Sequence, residues 1–196
     1  MKGVFWNSWG IGDLAKHNYI SDLAKEHNLD FIAFMEIGQS TFPNNTLTHL
    51  CGGQDFLWHI MPPQGRSRGI LMGVNLTVFD VGAIDEGNFY TKFLLKNKED
   101  GFTWALYAIY GPAQQQYKTS FLAELASVCS KETHPMLIGG DFNILRKPEE
   151  KNNDNFDPKW PNLFNSVIEL ADLQEINLSG RLYTWANDLT PPTYEN

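Results

Sequence analysis

The chain has 196 residues, the usual size of one domain, and is 42% hydrophobic and 13% aromatic, enough for a substantial core. A formal net charge of −8 excludes a protein that holds nucleic acid through a broad basic surface, because neutralising phosphates takes positive charge. No stretch approaches the ~18 consecutive apolar residues of a membrane span, and the opening "MKGVFWNSWG" is too short in apolar residues for a signal peptide, so the expected location is intracellular with no membrane partner.

In chain order, "GVFWN" (3–7) reads as a short strand. Residues 13–28 follow as a helix, with Leu14, Ile20, Leu23, Ala24 and His27 at helical spacing and Asp13 as N-cap. "LDFIAFME" (29–36) is a second buried strand. Residues 55–61, 70–74, 76–84, 89–95 and 102–110 read as strands broken by Gly, Asn and Asp turns, a run that suits antiparallel sheet. An amphipathic helix is expected over 114–128, with Phe121, Leu122, Leu125 and Val128 on one face. A strand over 136–141, a helix over 160–170 and two short strands around Gly180 complete the reading. There is no internal repeat or low-complexity tract, so one domain over 1–196 is expected. Cys51 and Cys129 show neither disulfide-framework nor metal-ligand spacing and read as reduced thiols; the sequons at Asn44, Asn75 and Asn177 then read as chance matches.

Polar residues stand where apolar strands finish. Asn7 follows "GVFW", Glu36 follows "LDFIAFM", Tyr110 follows "WALYAI", and Asp141 with Asn143 follows "PMLIGG". Ligands of α/β sheets sit at strand ends, so four strands can deliver these groups to one crevice. Each residue alone has a plainer reading: turn formers for the two Asn, a core ring for Tyr110, solvated charges for Glu36 and Asp141. Arg66 and Arg68 in "PQGRSRG" are candidate substrate-binding cations, against the plain alternative of solvated loop charges.

"FWN" (5–7), "FME" (34–36), "IYGP" (109–112) and "GGDFN" (139–143) together resemble the successive motifs of the endonuclease/exonuclease/phosphatase superfamily. Within it, "GDFNILRKPEEKNN", "WPNLFNSVIELADLQEINLSGRLYTWAN" and "PTYE" resemble the apurinic-type endonuclease domain of plant LINE retrotransposons. The resemblance implies a four-layer α/β sandwich, two packed mixed sheets flanked by helices. It implies hydrolysis of DNA phosphodiesters with Mg²⁺, or Mn²⁺ in its place, beside a reverse transcriptase domain in an intact element and in the nucleus. Glu36 matches the metal ligand and Asn7 belongs to the same site. Asp141 matches the residue that activates or orients the attacking water, Asn143 the amide that holds phosphate or substrate, and Tyr110 the phenol that bonds the phosphate.

The sequence also departs from the family. Relatives continue past "TYE" into a strand bearing an Asp and then a Ser-Asp-His motif, which these 196 residues do not contain. Trp9 stands where an Arg is common, Ile37 and Gly38 follow Glu36 in place of Thr and Lys, and Ala113 replaces an Asn. The expectation is therefore a C-terminally truncated domain with impaired nicking. Two alternatives stay open, an inactive retroelement remnant and a relative acting on another phosphoester.

Overall fold

The computed structural model describes residues 1–65, 68–152, 156–177, 179–180, 184–186 and 192–195. Two compact units emerge, one of residues 1–110 and 132–141, the other of 111–131 and 142–196.

The first unit is built on two four-stranded mixed sheets. One has the order β1-β2-β4-β3, from β1 (Gly3–Asn7), β2 (Phe31–Met35), β3 (Phe56–Met61) and β4 (Ile70–Asn75); β1 and β2 run parallel and the other pairs antiparallel. The other has the order β5-β6-β7-β8, from β5 (Phe79–Glu86), β6 (Tyr90–Asn97), β7 (Thr103–Tyr110) and β8 (Met136–Asp141), antiparallel except for the β7/β8 pair. Both central strands of the first sheet, "FIAFM" and "ILMGVN", are buried at every position, as continuous apolar runs covered on both faces should be. Phe31, Ala33, Met72 and Val74 of that sheet meet Phe79, Phe93, Leu95, Trp104, Leu106 and Ala108 of the second in one core. A second core, with Ile20, Ala24, Ile32, Phe34, Leu50 and Leu71, lies under α1 (Leu14–His27) and α2 (Asn44–Leu50).

At one edge the sheets approach through glycine. A Cβ at Gly139 of β8 would lie 2.3 Å from the Phe5 ring of β1, and one at Gly140 would lie 2.1 Å from the Ile109 carbonyl oxygen. Gly140 also has φ +135°, a conformation that L side chains rarely adopt. The two glycines of "GGDFN" thus let β8 lie against both neighbours just before Asp141.

In the second unit, α3 (Gln115–Lys131) packs with α4 (Lys159–Leu170). Phe121, Leu122, Leu125 and Cys129 are the buried residues of α3, so Cys129 takes the place expected for Val128. The Phe142 and Phe164 rings lie 5.2 Å apart between centroids. Arg146 Nε donates to Asn165 Oδ1 at 2.9 Å, and Asn165 Nδ2 donates back to the Arg146 carbonyl at 3.0 Å. Short strands β9 (Trp185–Ala186) and β10 (Tyr194–Glu195) pair antiparallel.

The expected α/β sandwich class, with two packed mixed sheets and four helices, is the one observed. The main differences are two strand starts or ends and one helix. The strand expected at 76–84 starts at Phe79 because Asn75 closes a turn, its side-chain oxygen accepting from Thr77 N at 2.9 Å and its carbonyl from Val78 N at 3.1 Å. The strand expected over 29–36 is shorter because Asn28 (φ +49°) and Glu36 (φ +59°), both left-handed, bracket it. Helix α2 was not expected: "NNTLTHL" has two apolar residues and weak helix formers, and no side chain caps its start. Around Gly180, 173–177 is irregular, and 178 and 181–183 lie outside the described residues. No helix among the described residues is long and apolar enough to cross a membrane. Both cysteines are buried free thiols, and burial raises the pKa of each.

Candidate active site

Four of the strand-end residues converge in the first unit. Tyr110 and Asp141 are register partners at the ends of β7 and β8, and Asn7 ends β1 opposite Met35, the residue before Glu36. The Asn7 amide uses both its hydrogens here: Nδ2 donates to Glu36 Oε1 at 2.9 Å and to Asp141 Oδ2 at 2.6 Å. Two acceptors that are both carboxylate oxygens fix the sense of the amide, nitrogen inward. Its oxygen is left toward Trp9 N, at 3.4 Å.

The second oxygen of Glu36, Oε2, accepts from Arg68 Nη1 at 3.2 Å, between a carboxylate 16% exposed and a guanidinium 59% exposed. Tyr110 donates its hydroxyl to Glu36. Burial first, then the Glu36 charge and hydrogen bond and the Asp141 charge, push its phenol well above the usual range, against a smaller opposing effect of Arg68. At neutral pH Tyr110 is accordingly a proton-bearing donor.

The loop that carries the amide is tied down on both sides. Ser8, 3% exposed, donates N–H and Oγ to the Met35 carbonyl at 3.0 and 2.9 Å, and Gly10 N donates to the Glu36 carbonyl at 2.7 Å. Lys16 Nζ donates to the carbonyls of Ser8 and Gly10 at 2.7 and 3.0 Å. Lys16 was missed from the sequence, although a cation in the first turn of a helix, where the dipole disfavours it, is a signal that it serves something else.

Arg68, expected as a substrate-binding loop cation, is found paired with Glu36. Arg66 lies outside the described residues. Asn143 belongs to the second unit, where it has φ +51°, its Nδ2 donates to the Gly111 carbonyl at 2.8 Å, and its own carbonyl accepts from Lys118 Nζ at 2.8 Å. His134 sits at the start of β8, the end away from Asp141, with Nδ1 at 2.8 Å from Glu132 Oε1.

Among the described residues no three His, Cys, Asp or Glu side chains gather to hold a metal ion. The donor set at Glu36 and Asp141 is nonetheless one that suits a hard divalent cation. It offers two carboxylates and a phenol, and Mg²⁺ takes one or two carboxylates and completes its shell with water and phosphate oxygens.

Two stacked mixed sheets thus deliver carboxylates, an amide and a phenol from their strand ends to one point. The sequence profile of the Endonuclease/Exonuclease/phosphatase family matches residues 4–195, and the chain belongs to that family. Its members are typically metal-dependent phosphoester hydrolases. No curated protein matches the chain. Solved structures with a similar fold include an AP endonuclease from Archaeoglobus fulgidus, 14% identical, with 87% of this chain and 70% of that one covered and a TM-score of 0.67. AP endonuclease LMAP from Leishmania major is 15% identical over 86% of this chain and 66% of its own, with a TM-score of 0.66. Mannosyl-6-phosphatase Bt3783 from Bacteroides thetaiotaomicron is 13% identical over 84% and 68%, with a TM-score of 0.54. The chain thus spans about two thirds of the length of these proteins, and the likeness is one of fold.

Proposed function

We propose that the chain is a Mg²⁺-dependent phosphodiesterase domain that nicks one DNA strand, the endonuclease of a LINE-type retroelement working in the nucleus beside a reverse transcriptase domain. The observation that carries the proposal is the Asn7 amide held between Glu36 and Asp141. It sets two carboxylates side by side at the strand ends, one to hold a cation and one to handle a water. The motif order along the chain and the AP endonuclease likenesses support DNA over other phosphoesters.

In this reading Glu36, with Asn7 beside it, holds the metal, which when bound polarises a phosphoryl oxygen. Asp141 orients the attacking water and accepts its proton. The water oxygen bonds to phosphorus and the P–O3′ bond breaks. The leaving oxygen takes a proton from solvent to give a 3′-hydroxyl primer end, and the phosphate stays on the 5′ side. Tyr110, kept protonated, donates a hydrogen bond to the phosphate as charge builds on it. Arg68 moves from Glu36 to the phosphate oxygens, a geometry that guanidinium suits. For Asn143 the motif match is what supports a phosphate-holding role.

A Ser-Asp-His segment is not among these 196 residues, so we propose weak nicking by this polypeptide taken alone. The test is Mg²⁺-dependent nicking of supercoiled plasmid by the 196-residue polypeptide and by one extended with that segment from a related endonuclease. EDTA-sensitive nicking that is stronger in the extended form, and lost with Asp141→Ala, is expected. A folded extended protein that leaves the plasmid intact and hydrolyses a sugar phosphate would establish the other-phosphoester alternative. One that hydrolyses neither would establish the inactive remnant.

A further inference from the structure

Trp9 is 61% exposed, yet it sits two residues after Asn7 in a left-handed backbone with φ +50°. Both facts cost free energy. A bulky L residue is disfavoured at positive φ, where Asn or Gly is the ordinary choice, and an indole in water forgoes its burial. Among the described residues the ring stacks on no other aromatic side chain. The backbone on either side is nevertheless fixed, through Ser8 to Met35, Gly10 to Glu36, and Lys16 to both loop carbonyls. Glu36, whose carbonyl accepts from Gly10 N at 2.7 Å, is itself left-handed, with φ +59°. Strain at a held, exposed position beside a reactive cluster points to a ligand.

We propose that Trp9 is a stacking platform for a nucleobase of the strand being cut, one base standing out of the duplex stack next to the phosphate at Glu36 and Asp141. The inference rests on the DNA-nicking reading above. Every base offers a flat π-face, so an indole gives affinity without choosing sequence. This matters for a chain of net charge −8, which cannot draw a strand in by a broad positive field. Two residues span at most about 7 Å of chain, which places the platform within one nucleotide's reach of Asn7. Arg68, 59% exposed on the same carboxylate, supplies the cation for the adjoining phosphate.

The experiment is fluorescence anisotropy in EDTA, where no cleavage occurs, with two fluorescein-labelled 12-residue strands. One is ordinary single-stranded DNA and the other carries tetrahydrofuran residues in place of every nucleoside. Wild type is expected to bind the base-bearing strand roughly 5- to 100-fold tighter. Trp9→Ala, with an unchanged melting temperature, should lose most of that difference, and Trp9→Phe should keep most of it. Equal affinity of Trp9→Ala and wild type for the base-bearing strand overturns the platform while leaving the nuclease reading intact. An equal loss on both strands also overturns it, since the ring would then act on the fold or the backbone path. Wild type that binds neither strand and nicks no plasmid when extended removes the nuclease reading, and the platform with it.

Discussion

Asn7 Nδ2 lies 2.6 Å from Asp141 Oδ2, although 134 residues separate them in the chain. The same nitrogen reaches Glu36, so a neutral amide keeps two like-charged groups apart and in place. Replacing it by a third carboxylate reverses that effect. Asn7→Asp should lower the melting temperature in EDTA and regain much of the loss in millimolar Mg²⁺, read by calorimetry with and without metal. A variant as stable as wild type in EDTA would show that the amide is not needed between the carboxylates.

Metal binding can be followed without catalysis. Mn²⁺ should enhance water-proton relaxation in wild type and much less in Glu36→Ala, the weak affinity reflecting a shell made mostly of water. Arg68→Ala should bind Mn²⁺ more tightly than wild type, because the guanidinium on Oε2 competes for the same carboxylate. Equal enhancement in wild type and Glu36→Ala would remove Glu36 from the site.

Glu132 is expected to contribute to acid stability. Its side chain is 3% exposed and 2.7 Å from Lys92 Nζ. Burial works against its charge, but hydrogen bonds from Lys92, Tyr107 and His134 outweigh this and hold the carboxyl well below the usual range. A depressed folded-state pKa gives stability that is complete above the unfolded value of about 4.3 and is lost as pH falls toward the folded one. Urea unfolding from pH 7 down to 3 should therefore show wild type weakening below about pH 5, and Glu132→Gln weakening less steeply over the same range. Lys92→Met, which leaves the buried carboxylate short of its cation, should cost up to ~3–5 kcal/mol at neutral pH. Parallel acid profiles of wild type and Glu132→Gln would refute the assignment.

The two glycines before Asp141 should respond differently to the same added methyl. At Gly139 the obstacle is the Phe5 ring, a side chain, so Gly139→Ala should cost ~1–3 kcal/mol and regain part of it in the double variant with Phe5→Leu. At Gly140 the obstacle is the Ile109 carbonyl, and φ is +135°, so Gly140→Ala should cost at least as much and gain nothing from Phe5→Leu. Chemical unfolding of the four variants measures both, and rescue at Gly140 would contradict the geometry.

Much of this was legible in the sequence because apolar runs that end on a polar residue state both a strand and its open end. "GVFWN" and "PMLIGGD" gave strands with the observed bounds, Gly3–Asn7 and Met136–Asp141. The convergence of Asn7, Glu36, Tyr110 and Asp141 was expected from strand ends and motifs together. What was not legible depended on distant partners. The Arg68 to Glu36 bond requires β2 and β4 to pair, and Lys16 looks like any surface cation until the loop it holds is seen. Helix α2 escaped because "NNTLTHL" carries no helical apolar period, and the exposure of Trp9 opposes what its residue type suggests.

Glu36 follows a strand of one sheet and Asp141 ends a strand of the other. During synthesis the amide and the first carboxylate leave the ribosome early, while the second follows Asn7 by 134 residues, a delay of roughly 7–27 s at ordinary elongation rates. A nascent chain therefore holds Asn7, Glu36 and Tyr110 without Asp141 until β8 has been made and laid against β1. The two carboxylates thus come together only as the sheets close, and any chemistry that needs both is withheld from a partly translated chain.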